Sequence, residues 1–201
     1  MAADARRVPQ VEVLREWLKT ERRHPDEEWF LVESLSEREA LDELLDREPG
    51  AAAFVWRDAP VEWYALTLNR SAFERLQVVE GPGGLRWRKL SPDGSVVGAA
   101  RRIARGDPET LADETGVDVD LVRQFRDDPP EGALVLSTRQ GCVPTFVADG
   151  NHRAVALALE LLSGDFTPQR AYLGVGANPV VRPLLQRVCG IVSEVLDGRF
   201  R

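Results

Sequence analysis

Lysine is nearly absent from this chain: of 26 cationic residues only Lys19 and Lys89 are lysines, and the other 24 are arginines. A phosphate-binding P-loop needs a lysine after its glycines, and neither Lys19 nor Lys89 stands in that setting, so the loop is excluded. Histidine and cysteine are as scarce, with His24 and His152 far apart and Cys142 and Cys189 far apart. Two of each at such separations cannot build a Cys₂His₂, Cys₄ or three-His zinc site. Cys142 and Cys189 could close one disulfide, but a single pair does not fix the redox compartment. No stretch approaches the roughly 20 apolar residues that span a bilayer. The opening MAADARRVPQVEV has no apolar core of a secretory signal, so a cytoplasmic protein is expected. Net cationic charge is missing too: the formal charge is −7 and the pI about 5.0. That balance argues against general nucleic-acid binding, which relies on neutralising phosphates.

What is present fits a globular chain. Its 201 residues are 43% hydrophobic and 29% charged, enough for a real core in one domain over 1–201. Pro9 opens an amphipathic helix with Val11, Leu14, Trp17 and Leu18 on one face. Ser36 and Glu39 form a capping box ahead of Leu41, Leu44 and Leu45, in a helix stopped by Gly50. The short apolar runs Trp29 to Glu33, Ala52 to Trp56 and Glu62 to Leu68 read as strands. Leu76 to Val79 and Leu85 to Leu90, around the turn Gly81-Pro82-Gly83-Gly84, read as a hairpin. From Val96 to Asp128 the pattern is helical, divided by Asp107-Pro108 and Gly116. Strands follow at Ala133 to Ser137 and Thr145 to Ala148, then a helix from about Asn151 to Leu162 and a strand at Ala171 to Val175. Asn178-Pro179 opens a last helix to about Leu196. The expected fold class is α+β.

The stretch with the most chemistry is Thr145-Phe-Val-Ala-Asp-Gly-Asn-His-Arg-Ala-Val-Ala-Leu. A strand runs into Asp149-Gly150-Asn151-His152-Arg153 and an Ala/Leu helix leaves it. The first turn of a helix has unpaired N–H groups and the positive end of the dipole, and so attracts anions. Gly150 lets backbone approach a bound group or takes a dihedral closed to other residues. Asn151 is a candidate cap, and His152 and Arg153 add donors, the arginine fork matching two phosphate oxygens. Asp149 could ligate magnesium or accept a proton. Alternatively the same residues make a plain strand-to-helix turn.

This box resembles the phosphate-binding turn of the ParB/sulfiredoxin superfamily, where a strand is followed by G-E-R-R, G-C-H-R or D-G-H-H-R and an alanine-rich helix. Asp149, Gly150, His152 and Arg153 match the D-G-H-H-R form of the free-serine kinases, with Asn151 in place of its first His. The resemblance covers roughly residues 133–175. It implies a ParB/sulfiredoxin-like mixed sheet, here with an N-terminal helical extension and a helical insertion over 96–128. It further implies that the turn holds nucleotide phosphates, with ATP or ADP and Mg²⁺ as cofactors and phosphoryl transfer to a small hydroxyl substrate as the activity. In that scheme Gly150, Asn151, His152 and Arg153 bind phosphate, His152 stabilises transferring charge, and Asp149 serves as base or metal ligand. Arg153→Ala is then expected to weaken nucleotide binding with the fold intact. Glu33 is the counterpart offered for the kinases' catalytic glutamate. Sulfiredoxin needs cysteine where Asn151 stands, so that activity is not expected. The segment is also similar to the Fic motif, but Pro144 replaces the histidine base that Fic chemistry requires.

Leu111 to Arg123 resembles a helix-turn-helix about Gly116. Asp118 and Asp120 stand near the start of its second helix, where a DNA reader presents donors and cations, so a helical hairpin packed on the sheet is favoured over a DNA-responsive regulator of the ParB type. A non-catalytic interaction module is the third alternative. Arg101, Arg102 and Arg105 form a basic patch, by default a solvated helix face. The expected partners are a nucleotide and a small substrate, with no membrane.

Overall fold

The computed structural model describes residues 5–21, 29–55, 60–81, 84, 86–139 and 144–176, with backbone alone at 29 and 30. Cys142, Cys189, His24, Trp56 and the helix expected after Asn178 lie outside them.

Five strands form one mixed sheet: β1 (Arg6–Val8), β2 (Val61–Leu68), β3 (Leu134–Arg139), β4 (Phe146–Asp149) and β5 (Gln169–Gly176), in the order β1-β2-β5-β3-β4. β5 pairs antiparallel with β2 and parallel with β3, and β3 pairs antiparallel with β4. Alternation along β3 shows how the sheet feeds two cores: Leu134 and Leu136 join one cluster, Ala133 and Val135 the other.

The first core lies under α7 (Val96–Arg105), α8 (Pro108–Thr115), α9 (Val119–Asp127) and α10 (Asn151–Ser163). Their boundaries follow from sequence chemistry. Asp107 accepts from the Thr110 N–H with Pro108 at the first helical position, and Gly116 ends α8 in a left-handed conformation (φ 69°). Asp118 accepts from the Leu121 N–H to start α9. The 96–128 segment is therefore three helices, as the pattern predicts. Arg102 ties α7 to α8 through Glu114 at 2.9 Å and donates to the Lys89 carbonyl.

The second core covers the opposite face with α1 (Gln10–Thr20), α3 (Glu37–Arg47), a 3₁₀ turn at Pro49–Ala51 and α4 (Ala52–Val55). In α1, Val13, Leu14, Trp17 and Leu18 are buried, while Val11 is only partly so. The capping box forms at α3: Ser36 accepts from the Glu39 N–H and the Glu39 carboxylate accepts from the Ser36 N–H.

Three expected strands are helical instead. Trp29 to Glu33 falls in α2 (Trp29–Ser34), Ala52–Val55 is α4, and Arg86–Leu90 is α6. Short apolar runs of this length do not distinguish a strand from one helical turn. The expected hairpin is absent because the Gln77 backbone pairs elsewhere: its N–H donates to the Thr145 carbonyl and its carbonyl accepts from the Val147 N–H. The 76–79 segment thus covers the outer edge of β4, and a four-residue helix, α5 (Arg70–Phe73), precedes it.

Candidate functional site

The β4–α10 turn opens onto a cleft of about 760 Å³, and Asp149, Gly150, Asn151, His152 and Arg153 all line it. The cleft straddles the sheet edge. Trp17, Thr20, Glu21 and Glu48 reach it from the second core's layer, and Trp87, Leu121 and Phe125 from the first core's.

Gly150 is the N-cap of α10, left-handed at φ 83° and ψ 28°, and no side chain caps the helix. Asn151 is the first helical residue rather than the cap. Its side-chain oxygen accepts from the Val79 N–H at 2.9 Å and its amide donates to the Val147 carbonyl at 3.1 Å. The Asn151 side chain is therefore a brace between the 76–79 segment and β4, and what it offers a ligand is its main-chain N–H.

Arg153 is 7% exposed, and its Nη1 donates to the Ala133 carbonyl at 3.2 Å. Its guanidinium lies against two glycines of positive φ. A Cβ on Gly132 (φ 126°) would stand 2.8 Å from Nη1, and one on Gly150 3.5 Å from Nη2. Nε is buried with no hydrogen-bond partner. Truncating this side chain would orphan the Ala133 carbonyl and leave a void, so Arg153→Ala is a fold-damaging change rather than a clean binding variant.

Asp149 faces Glu21, the residue that ends α1. The two carboxyls share a hydrogen bond in which Glu21 donates to the Asp149 carboxylate. Burial pushes Glu21 up to about 7, with Asp149 and then Glu48 adding repulsion. Burial raises Asp149 as well, against the pull of Arg153 and the Gly150 N–H. This proton-sharing acid pair was not anticipated from the residues; a glutamate at a helix C-terminus, where the dipole disfavours an anion, is the sequence signal that points to it. Glu33, the counterpart suggested by the family resemblance, is elsewhere: it pairs with Lys19 at 2.5 Å and is held below the usual carboxylate range by that contact.

His152 occupies the other arm. Its ring meets Trp87 edge-on at 4.8 Å between centroids. Burial lowers its pKa and Arg86 lowers it further, against Asp118, so it is a neutral donor and acceptor at pH 7. Arg86, exposed on the cleft rim, is the one non-glycine residue of positive φ (39°) among the described residues. Such backbone strain collects at functional sites. Among the described residues no three His, Cys, Asp or Glu side chains are grouped to hold a metal by themselves. Nor is any helix among them long and apolar enough to cross a membrane.

The helix-turn-helix-like segment contributes to this cleft from α9, through Leu121 and Phe125. Asp120, Arg123, Gln124, Arg126 and Asp127 are exposed on α9, a face of mixed charge. Trp17, Trp63 and Trp87 are core residues rather than a stacking platform. No protein-family model matches the chain, and neither does any curated protein or solved structure.

Proposed function

We propose that the cleft binds a nucleotide through its phosphates and that the protein is a phosphotransferase acting on a small hydroxyl substrate, with a fold of the ParB/sulfiredoxin type. The observation that carries this reading is the start of α10: a left-handed glycine, no side-chain cap, and a first turn opening into a cleft of nucleotide size. The first-turn N–H groups and the neutral His152 would receive the terminal phosphate oxygens, and Arg86 would neutralise charge at the rim. Mg²⁺ carried on ATP or ADP needs only one or two protein carboxylates, which Asp149 and its neighbours can supply.

Under this reading the substrate hydroxyl oxygen forms a bond to the terminal phosphorus as the bond to the leaving phosphate breaks. The hydroxyl proton passes to the Glu21–Asp149 pair in molecules that lack the shared proton. A base titrating near neutrality suits that role. Arg153, held beneath the turn, keeps the pair from becoming wholly uncompensated.

The test is thermal stability with ATP, ADP, CTP or GTP and Mg²⁺. A ligand at 100 times its Kd stabilises the folded state by about 2.7 kcal/mol, and a nucleotide-specific rise in Tm is expected. Arg86→Ala, on the exposed rim, should reduce that rise with the ligand-free Tm unchanged. No shift with any nucleotide at millimolar concentration would overturn the reading.

A further inference from the structure

A second cavity, of about 540 Å³, opens beside α7 and shares no lining residue with the cleft at the β4–α10 turn. Arg101, Arg102 and Arg105 line it together with the Asp93 carboxylate, and the buried Leu90 and Leu111 give it apolar surface. We propose that this cavity is an anion-binding site for a small organic molecule carrying more than one phosphate or carboxylate charge, held by the arginines of α7.

On α7 the buried Val96, Val97, Ala99, Ala100 and Ile103 fix one face to the first core, which leaves positions 98, 101, 102 and 105 together on the other. Arg105 therefore stands one turn from both Arg101 and Arg102, and like charges at these spacings repel. The helix dipole offsets this for Arg102 and Arg105 in the last turn, but Arg101 lies outside that turn. Arg102 is held in place: its Nη1 donates to the Lys89 carbonyl at 2.7 Å and its Nη2 pairs with Glu114 at 2.9 Å, with further N–H donors left over. Arg101 and Arg105 are exposed and make no hydrogen bond or ion pair among the described residues. Asp93 does not neutralise them by contact, because its oxygens accept from the Ser91 hydroxyl at 2.7 Å, the Ser95 N–H at 3.0 Å and the Ser95 hydroxyl at 2.9 Å. Its charge reaches Arg101 only through space. The walls come close because two of their residues are glycines: a Cβ on Gly98 would stand 2.2 Å from Asp93 Oδ1, and one on Gly106 2.6 Å from Leu111 Cδ1. Three guanidiniums thus share one concave and partly apolar surface in a chain of net charge −7. A ligand that matches it brings oxyanion groups, each taking paired N–H donors, and a carbon skeleton to cover the leucines. Two unpaired arginines are matched by more than one negative charge.

Anion binding here does not depend on what the cleft binds, and its test uses the full chain with no nucleotide present. Backbone amide shifts are followed by NMR as pyrophosphate, and separately citrate, is added in about 0.15 M chloride, where charges beyond contact distance are screened. Saturable shifts are expected in α7, at Gly106 and at Leu111 with at least one of the two, pyrophosphate reporting a phosphate-bearing ligand and citrate a carboxylate one. The double variant Arg101→Ala with Arg105→Ala should weaken binding by about tenfold or more, with the ligand-free Tm unchanged because both side chains are exposed and unpaired. Should that variant lose stability, Arg101→Lys with Arg105→Lys keeps both charges and removes the forks, and it too should bind more weakly. Arg86→Ala, on the rim of the other cleft, should leave these shifts as in wild type. No saturable shift in α7 with either anion at about 10 mM would overturn the proposal, as would wild-type affinity in the arginine double variants. An acidic peptide that saturates these amides where both small anions fail would make the face a protein-docking surface and overturn it equally.

Discussion

Asn151→Ala separates a brace from a ligand contact. Asn151 is 8% exposed and makes two side-chain hydrogen bonds, one to the Val147 carbonyl in a buried setting and one from the half-buried Val79 N–H. Stranding a buried partner costs about 1–3 kcal/mol, and losing an ordinary half-buried bond about 0.5–1.5 kcal/mol, so the substitution should cost roughly 2–4 kcal/mol. In a chain of this length each kcal/mol corresponds to about 2–4 °C in Tm, and a loss of 3 kcal/mol to roughly 6–12 °C. Urea denaturation of wild type and variant, with unchanged m, gives the difference directly. The main-chain N–H of residue 151 survives the change, so any nucleotide-induced rise in Tm should survive with it. A stability loss under 1 kcal/mol together with abolished nucleotide response would refute the brace and return the side chain to the binding site.

Gly132→Ala should destabilise the fold by more than about 1 kcal/mol, since it forces a φ of 126° on an L-residue and brings a Cβ within 2.7 Å of Thr20 Cγ2 and 2.8 Å of Arg153 Nη1; an unchanged denaturation midpoint would contradict the clasp. The raised pKa of Glu21 has a defined stability signature. The folded protein binds the extra proton between the ordinary value, 4.5, and about 7, so stability falls as pH rises through that window and the loss is complete above it. Glu21→Gln should therefore be less pH-dependent than wild type and more stable at pH 8, as read from denaturation midpoints at pH 5 and 8.

Much of this architecture is legible in the residues, where local chemistry and tertiary packing agree. Ser36 with Glu39, Asp107 before Pro108, and Gly116 each set a helix boundary by side-chain or backbone conformation alone, and each boundary is found where that chemistry puts it. The strand–turn–helix around 145–162 is legible for the same reason. Ala52–Val55 and Arg86–Leu90 are not, because four or five apolar or mixed residues carry no period long enough to read. The site divides in the same way. The five residues of the turn are contiguous and announce themselves, but their individual roles depend on neighbours 70 or more residues away. Asn151 is a brace because Val79 lies beside it. Asp149 shares a proton because Glu21, on another layer, faces it. The residues adjacent in sequence identify neither partner, although Glu21 at the end of α1 stands where an anion is disfavoured.

The position of β5 has a consequence for how this cleft comes into being. It is the last strand in the chain to be described, and it sits third in the sheet, between β2 and β3. The layer carrying Glu21 packs on β1 and β2 and also meets β3 through Val135, while Asp149 belongs to the β3–β4 pair, and β5 is the strand that joins β2 to β3 in one sheet. Pairings such as Val61 with Gly176 close very long loops, which slows assembly. The sheet beneath the carboxyl pair is therefore continuous only once β5 has paired on both of its sides.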